Sequence, residues 1–190
     1  MKKDRMTAFS DGVIAIIITI MVLEMKVPHG SELEELRPVL PVFLSYIMSF
    51  IYLGIYWNNH HHLLQAVNKV NGKILWANMH LLFWLSLIPF VTGWIGENQL
   101  EKWPAALYGI VLLGAAIAYY ILTKCLIAHH GSNSVIAKAI GRGIKDSISI
   151  IIYLIAIVLS FLNPWISVAL YILVAVMWFV PDQRIEKNLG

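Results

Sequence analysis

The chain has few charged residues for its length. Only 13% of its 190 residues are Asp, Glu, Lys or Arg, whereas 59% are hydrophobic and the mean hydropathy is +0.72. Soluble domains carry about 25% charged residues, and a chain this short has too little interior to hide so much apolar surface from water. The scarcity of charge therefore excludes a soluble globular domain and predicts an all-α membrane protein.

Cysteine and the sequence motifs of catalysis are also scarce. The single cysteine, Cys125, excludes an intrachain disulfide. The sequence has no Gly-rich phosphate loop, no nucleophile elbow and no His-Glu pair at zinc-binding spacing. We therefore expect neither an enzyme nor a cofactor. The formal net charge of +3 falls in loops between apolar segments, so it predicts membrane topology rather than binding of nucleic acid.

Six apolar segments are long enough, or nearly so, to cross a bilayer as helices, which takes about 20 residues. We expect them to form one domain over residues 1–190. Pro89 lies inside the third segment and predicts a kink there. No cleavable signal peptide is expected, because Glu24 and Lys26 follow the first segment without a small-residue cleavage site. The predicted helices 1 to 6 cover residues 9–27, 39–61, 74–95, 104–128, 144–162 and 165–180.

Basic residues favour a topology with both termini in the cytoplasm. With the N-terminus inside, eleven of the 14 Lys and Arg residues take inner positions. The three outer ones are Lys26, Arg37 and Lys102. The positive-inside rule then predicts a multi-pass protein of the cell membrane with an even number of spans. The inner loop before helix 5 has Lys138, Arg142 and Lys145 on one helical face, which we expect to contact anionic lipid headgroups.

The outer loop after helix 1 contains a helix-start motif. Ser31 and Glu34 have the spacing of a capping box, in which each side chain bonds the backbone of the other residue. This spacing predicts a short helix that runs from there to Arg37.

Polar residues gather at one depth of three predicted helices. Asp11 lies about one turn into helix 1, helix 2 closes with Trp57 and histidines 60–62, and helix 3 carries Asn78 and His80 at that level. A carboxylate in a membrane span needs a partner, so we expect a hydrogen-bonded network that joins Asp11 to a histidine or a tryptophan N–H. Two other interpretations stay open.

The first alternative is a proton-sensing or gating element, because histidine titrates near neutral pH. The second is a metal site built from the histidine triplet. Three consecutive histidines point 100° apart on a helix, so they cannot all bind one ion, and we expect no metal site.

A narrow stripe runs along one face of helix 1. At 100° per residue, Asp11 lies about 140° from Ile16 and is therefore off this face. The stripe is mostly bulky and aliphatic, with one hydroxyl at Thr19. Its members are Phe9, Gly12, Ile16, Thr19, Ile20 and Leu23.

The start of helix 1 carries the motif Arg5-x-x-x-Phe9-Ser10-Asp11. With six predicted spans and the stretch from Trp57 to His60 and His61 that closes helix 2, the chain resembles prokaryotic members of the transmembrane protein 175 family. The resemblance covers the whole chain. It implies a potassium-permeable leak channel, with one six-helix repeat in each subunit and helix 1 lining the central pore of a homotetramer.

The resemblance also implies roles for individual residues. A large aliphatic residue five positions after the motif aspartate forms the constriction, and that residue is Ile16. Thr19 supplies a hydroxyl layer, and Ile20 and Leu23 continue the lining. The motif residues would hold helix 1 against helices 2 and 3. They are Arg5, Phe9, Ser10 and Asp11, with Trp57, His60 and His61 on helix 2.

The stripe has a second interpretation, as a packing seam between helices, and the function has two further alternatives. A small secondary transporter would be expected to show inverted repeats and a central ionisable residue, and the sequence shows no convincing example of either. A non-conducting membrane scaffold is the other alternative. The carbonyl filter loop of ordinary potassium channels, Thr-Val-Gly-Tyr-Gly, is absent. We expect passive conduction of potassium and other monovalent cations.

Overall fold

The computed structural model describes residues 2–131, 133–134, 136–137 and 144–179, and within these residues it is built from helices without strands. A 3-10 helix, Leu33–Val39, precedes α2. One isolated antiparallel bridge joins Lys2 and Lys69. The α-helices are α1 Asp4–Leu23, α2 Leu40–Gln65, α3 Gly72–Ser86, α4 Ile88–Glu97, α5 Lys102–His130, α6 Ile144–Leu159 and α7 Pro164–Phe179.

The helices occupy the six predicted segments, and their lengths divide them into two groups. Four stretches are long and apolar enough to cross a membrane: Asp4–Leu23, Leu33–Gln65, Gly72–Glu97 and Lys102–His130. The helices α6 and α7 have 16 described residues each. At 1.5 Å per residue they measure about 24 Å, somewhat less than the roughly 30 Å of a bilayer core. The all-helical class is confirmed, and the six-span topology stays a prediction.

Predicted helix 3 is divided at the region of the predicted kink, with Leu87 between two helical parts of one apolar stretch, Gly72–Glu97. Its first part, α3, ends at Ser86, and α4 begins at Ile88 with Pro89 in its first turn. Proline has no N–H to donate to the carbonyl four residues earlier, and its ring crowds that carbonyl. The chain therefore starts a new helix, because proline is well accommodated in a first turn.

The predicted capping box in the outer loop does not form. The 3-10 helix begins after Glu32, and no side chain caps its first turn. The short helix was expected to begin at Ser31 and end at Arg37, whereas it covers Leu33–Val39. A 3-10 helix contains Pro38 without loss of an interior α-helical bond, which explains why this form is favoured here.

The helix α5 is the centre of the bundle and packs against α3, α4, α6 and α7. Its glycines permit this close packing. A Cβ on Gly114 would overlap the indole ring of Trp84, and one on Gly109 would overlap Tyr171 and Ile157. Both small residues therefore serve contacts within one protomer.

The predicted basic face lies mostly beyond what the structure describes. Lys138 and Arg142 fall outside the described residues. Lys145 lies in the first turn of α6, where its Nζ is 5.8 Å from the centroid of the Trp178 ring.

Candidate functional site

The first helix has two different faces. One face is buried against α2, α3 and α4, and it carries Met6, Ser10, Ile14, Ile17 and Met21. These side chains recur every three or four residues, which is the spacing of one helical face. The opposite face carries the predicted stripe and has no other part of the described protomer over it.

The stripe is exposed along its whole length. Ile16 is 60% exposed and Leu23 is 76% exposed, whereas Ile14 and Ile17 on the other face are at most 3% exposed. The Thr19 hydroxyl donates a hydrogen bond to the Ala15 carbonyl, at 2.9 Å. This bond leaves the oxygen lone pairs of Thr19 available, so a ring of several copies would present acceptors to a cation. The other exposed members are Phe9, Gly12 and Ile20.

A buried hydrogen-bonded chain joins α1, α3 and α2 at the depth of the motif. The Asn78 amide nitrogen donates to Ser10 Oγ at 2.9 Å, and Ser10 donates to the Met6 carbonyl at 2.8 Å. The Asn78 oxygen lies 2.8 Å from His60 Nε2. Because that amide oxygen only accepts, His60 must donate from Nε2. All three polar side chains are at most 1% exposed, so their hydrogen bonds to one another take the place of hydrogen bonds to water.

Asp11 is paired with a tryptophan beside this chain. Trp57 Nε1 donates to Asp11 Oδ1 at 3.0 Å. The Trp57 ring stacks on His61, with centroids 5.7 Å apart, and His61 Nε2 lies 2.8 Å from Gln65 Nε2. The structure thus brings together Ser10, Asp11 and the three predicted residues of helix 2. Asp11 has the tryptophan partner, and the hydrogen bonds of His60 connect it to α1 through Asn78.

The structure does not bring Arg5 and Phe9 into this network. Both are exposed on the protomer, and Phe9 is 52% exposed on the same side as Ile16. The motif therefore divides in two: Ser10 and Asp11 face the protomer's own helices, and Phe9 faces away from them. Consecutive residues of an α-helix point 100° apart, so neighbours in the motif face different sides of α1.

Two lysines just outside α1, one at each end, bind other helices of the protomer. Lys3 Nζ donates to the Leu64 carbonyl at 2.6 Å, and so caps the C-terminal end of α2. Beyond the other end, Lys26 Nζ forms an ion pair with Glu97 Oε1 at 2.8 Å. The hydrogen bond and charge of Glu97 raise the pKa of Lys26 above its ordinary value. Near that end, the Thr92 hydroxyl on α4 lies 3.9 Å from the sulfur of Met21.

The histidine triplet is spread over different surroundings. His60 is buried against Asn78, whereas His61 stacks on Trp57. Within the described ranges, no group of three or more His, Cys, Asp or Glu side chains is arranged to hold a metal ion.

One acidic residue that the sequence motifs do not single out is buried in the structure. Asp146, in the first turn of α6, is only 6% exposed and lines a cavity. Its position three residues into an apolar segment was the available signal.

Comparison with known proteins gives consistent matches. The sequence profile described as "Endosomal/lysosomal potassium channel TMEM175" matches residues 5–89. A protein of Chryseobacterium sp. (strain P1-3) that is named a potassium channel is 59% identical over 189 residues, which cover 100% of this chain and 98% of that protein. The human "Endosomal/lysosomal proton channel TMEM175" is 36% identical over 105 residues, which cover 49% of this chain and 20% of that protein.

A solved structure is similar over nearly the whole fold. It is the crystal structure of a lysosomal potassium-selective channel TMEM175 homolog from Chamaesiphon minutus. The TM-score is 0.77 at 29% sequence identity, and the match covers 93% of this chain and 95% of that chain.

Proposed function

Because the chain belongs to the TMEM175 family of potassium channels, we propose that it is one subunit of a homotetrameric, potassium-permeable leak channel in the cell membrane, with α1 lining the pore. The related proteins are named as channels, and the family is not one of enzymes. Both termini lie in the cytoplasm in this proposal, as the distribution of basic residues favours.

The two-faced packing of α1 is the observation that carries the proposal. Polar and apolar anchors lie on one side, whereas the stripe on the other side is left open by the protomer. One such helix cannot enclose a water path alone, so several copies must surround a common axis. Closed cyclic symmetry is the usual arrangement of such assemblies.

Ile16 forms the constriction of the proposed pore. Four isoleucine side chains that converge on the axis make a dry neck, and water leaves narrow apolar necks readily. A cation that loses its water there is destabilised unless other groups replace that water. Thr19 lies 60° around the helix from Ile16 and one turn along it, so its hydroxyls are placed to hydrate the ion beside the neck. Ile20 and Leu23 continue the lining.

Selectivity in this pore arises without a carbonyl cage. The sequence has no Thr-Val-Gly-Tyr-Gly loop, so no ring of backbone carbonyls substitutes for the hydration shell. The proposed discrimination depends on the cost of partial dehydration at Ile16 and on the Thr19 hydroxyls.

Ion flux from proteoliposomes tests conduction directly. Purified protein in liposomes with a potassium gradient should carry fast, passive current. Slow, saturable exchange would instead support the transporter alternative, and absence of flux would support a scaffold. Because animal relatives are named proton channels, a parallel measurement with a pH gradient and no potassium gradient separates proton current from potassium current.

Substitution of Ile16 tests the constriction. Ile16→Asn should wet the neck, raise conductance and reduce discrimination between potassium and sodium, as measured by reversal potentials under bi-ionic conditions. Val22→Asn is the matched control, because Val22 is 43% exposed but lies 120° around the helix from Ile16. If the stripe is instead a packing seam, Ile16→Asn should impair assembly and leave the selectivity of any residual current unchanged.

Native mass spectrometry tests the assembly. The expected species contains four chains of 21.5 kDa. A monodisperse monomer that still conducts would contradict the tetramer and the shared pore together.

A further inference from the structure

A cavity lies inside the protomer, away from the α1 stripe. It is lined by α2, α5, α6 and α7 and has a volume of about 30 Å³, enough for one or two water-sized groups. Aromatic rings make up much of its wall, and one carboxylate joins them. These residues are Tyr52, Tyr56, Tyr119, Tyr153, Trp178 and Asp146.

The Asp146 carboxylate is largely withdrawn from water, and among the described residues its hydrogen-bond donor is its own backbone N–H. The residue is 6% exposed, and among the described residues no side chain forms an ion pair with it or donates a hydrogen bond to it. Lys124 acts on the carboxylate only electrostatically, and its Nζ lies 5.1 Å from the centroid of the Tyr120 ring. A buried charge in this condition is costly, so a cation from outside the chain would be strongly favoured.

The N-terminus of α6 accounts for only part of this arrangement. A carboxylate in a first turn is favoured by the helix dipole, and that effect operates on exposed residues as well. It does not explain why the carboxylate faces a cavity walled by aromatic rings. The cavity wall is therefore a second, independent feature of the site.

The chemistry of the wall selects an ammonium group over a bare metal ion. Aromatic faces attract cations, and cages of such rings are typical sites for organic ammonium groups. The Ser149 hydroxyl is already engaged on both sides, since it donates to the Lys145 carbonyl at 2.8 Å and accepts from Trp178 Nε1 at 2.8 Å. Asp146 is the one carboxylate among the described lining residues, whereas a bare metal ion prefers several oxygen ligands.

We propose that this cavity is a binding site for a small primary ammonium ion of about the size of methylammonium, with Asp146 as its counter-ion and the aromatic rings as its walls. The site is separate from the proposed pore. Tyr56 and Asn59 in its wall are next to Trp57 and His60 on α2.

The proposal is tested by equilibrium binding of radiolabelled methylammonium to the full-length protein in nanodiscs. N-methyl-D-glucamine chloride keeps the ionic strength constant. The expected result is one saturable site per chain. Asp146→Asn should weaken binding by about tenfold or more, the loss expected when a charge-assisted hydrogen bond is removed. Glu101→Gln is the control, since it changes an exposed carboxylate outside the cavity and should bind as the wild type does.

Two outcomes would overturn the proposal. Wild-type protein without a saturable site excludes it, whatever the variants do. Equal binding by the wild type and Asp146→Asn places the bound ion elsewhere, with the pore as the first alternative. If Asp146→Asn yields no monodisperse protein, Tyr119→Leu replaces it: removal of this ring should weaken binding several-fold, and unchanged affinity contradicts the aromatic cage.

Discussion

The buried amide of Asn78 offers the sharpest test of how α1 is held. Asn78→Ala removes two hydrogen bonds at once, one with His60 Nε2 and one with Ser10 Oγ. Ser10 keeps its bond to the Met6 carbonyl, so its loss is limited to one accepted bond. Among the described residues, the buried Nε2–H of His60 then has no acceptor, and its Nδ1 has no partner in either case.

The magnitude follows from these two losses. A buried donor without a partner costs about 1–3 kcal/mol, and the lost bond at Ser10 adds about 1 kcal/mol. We therefore expect Asn78→Ala to lower the free energy of unfolding by about 2–4 kcal/mol. For a chain of this size, each kcal/mol lowers Tm by about 2–4 °C, so the expected decrease is about 4–16 °C.

Thermal unfolding at matched protein concentration, followed by size-exclusion chromatography of the remaining assembly, measures this effect. Asn98→Ala is the matched control. Its amide also donates a hydrogen bond, to the Trp94 carbonyl at 2.9 Å, but Asn98 is exposed and water replaces it. A double-mutant cycle with Ser10→Ala should show coupling of about 0.5–3 kcal/mol. If Asn78→Ala unfolds at the same temperature as Asn98→Ala, the buried chain does not hold α1.

Three further predictions concern other attachments. Trp57→Phe removes the N–H donor to Asp11 but keeps an aromatic ring beside His61. We expect the free energy of unfolding to fall by about 1 kcal/mol and the yield of assembled protein to decrease, with no change in reversal potential. Trp103→Phe is the control. Gly114→Ala should lower the free energy of unfolding by about 1–3 kcal/mol, because the new Cβ overlaps Trp84. Gly54→Ala has open space around the new Cβ and should raise it by about 0.5–1 kcal/mol. Chemical denaturation of the two variants and the wild type measures both effects. The pKa of Lys26 is raised in the folded protein by its pairing with Glu97. This pairing therefore stabilises the folded state at pH values below the ordinary lysine pKa, and the stabilisation is lost as the pH rises through the raised pKa. If Lys26→Gln and the wild type have identical profiles of Tm against pH, this prediction is wrong.

Apolar runs were sufficient to predict where the helices lie. The least accurate boundary is at the start of α1, which was predicted at Phe9 and begins at Asp4. The first turns of this helix are polar, and hydropathy detects only the part of a helix that suits lipid. The break at Leu87 lies two residues before Pro89, where the sequence predicts a kink, because proline removes a helical N–H donor at a known position.

The two faces of α1 follow from helical periodicity, but the partners of its polar residues do not. Periodicity placed Asp11 off the stripe, whereas the choice of Trp57 over a histidine depends on how α2 is rotated against α1. Asn78 was noted only as a polar residue at the right depth, and its place between Ser10 and His60 required the packing of three helices. Asp146 shows the same dependence, since its burial is produced by the surrounding helices and not by its own sequence context.

The attachments of α1 also constrain how a pore lined by it would change width. Lys3, Ser10 and Met21 contact α2, α3 and α4 at three depths, all on the side opposite Ile16. A rotation of α1 alone that moves Ile16 off the axis would break the Ser10 bond and leave the Asn78 amide N–H without its acceptor in a dry interior, at a cost of about 1–3 kcal/mol. A movement of α1 together with α2 and α3 keeps these bonds. We therefore expect a disulfide between α1 and α3 beside this network to leave opening intact, and loss of current in such a cross-linked variant would show that α1 rotates on its own.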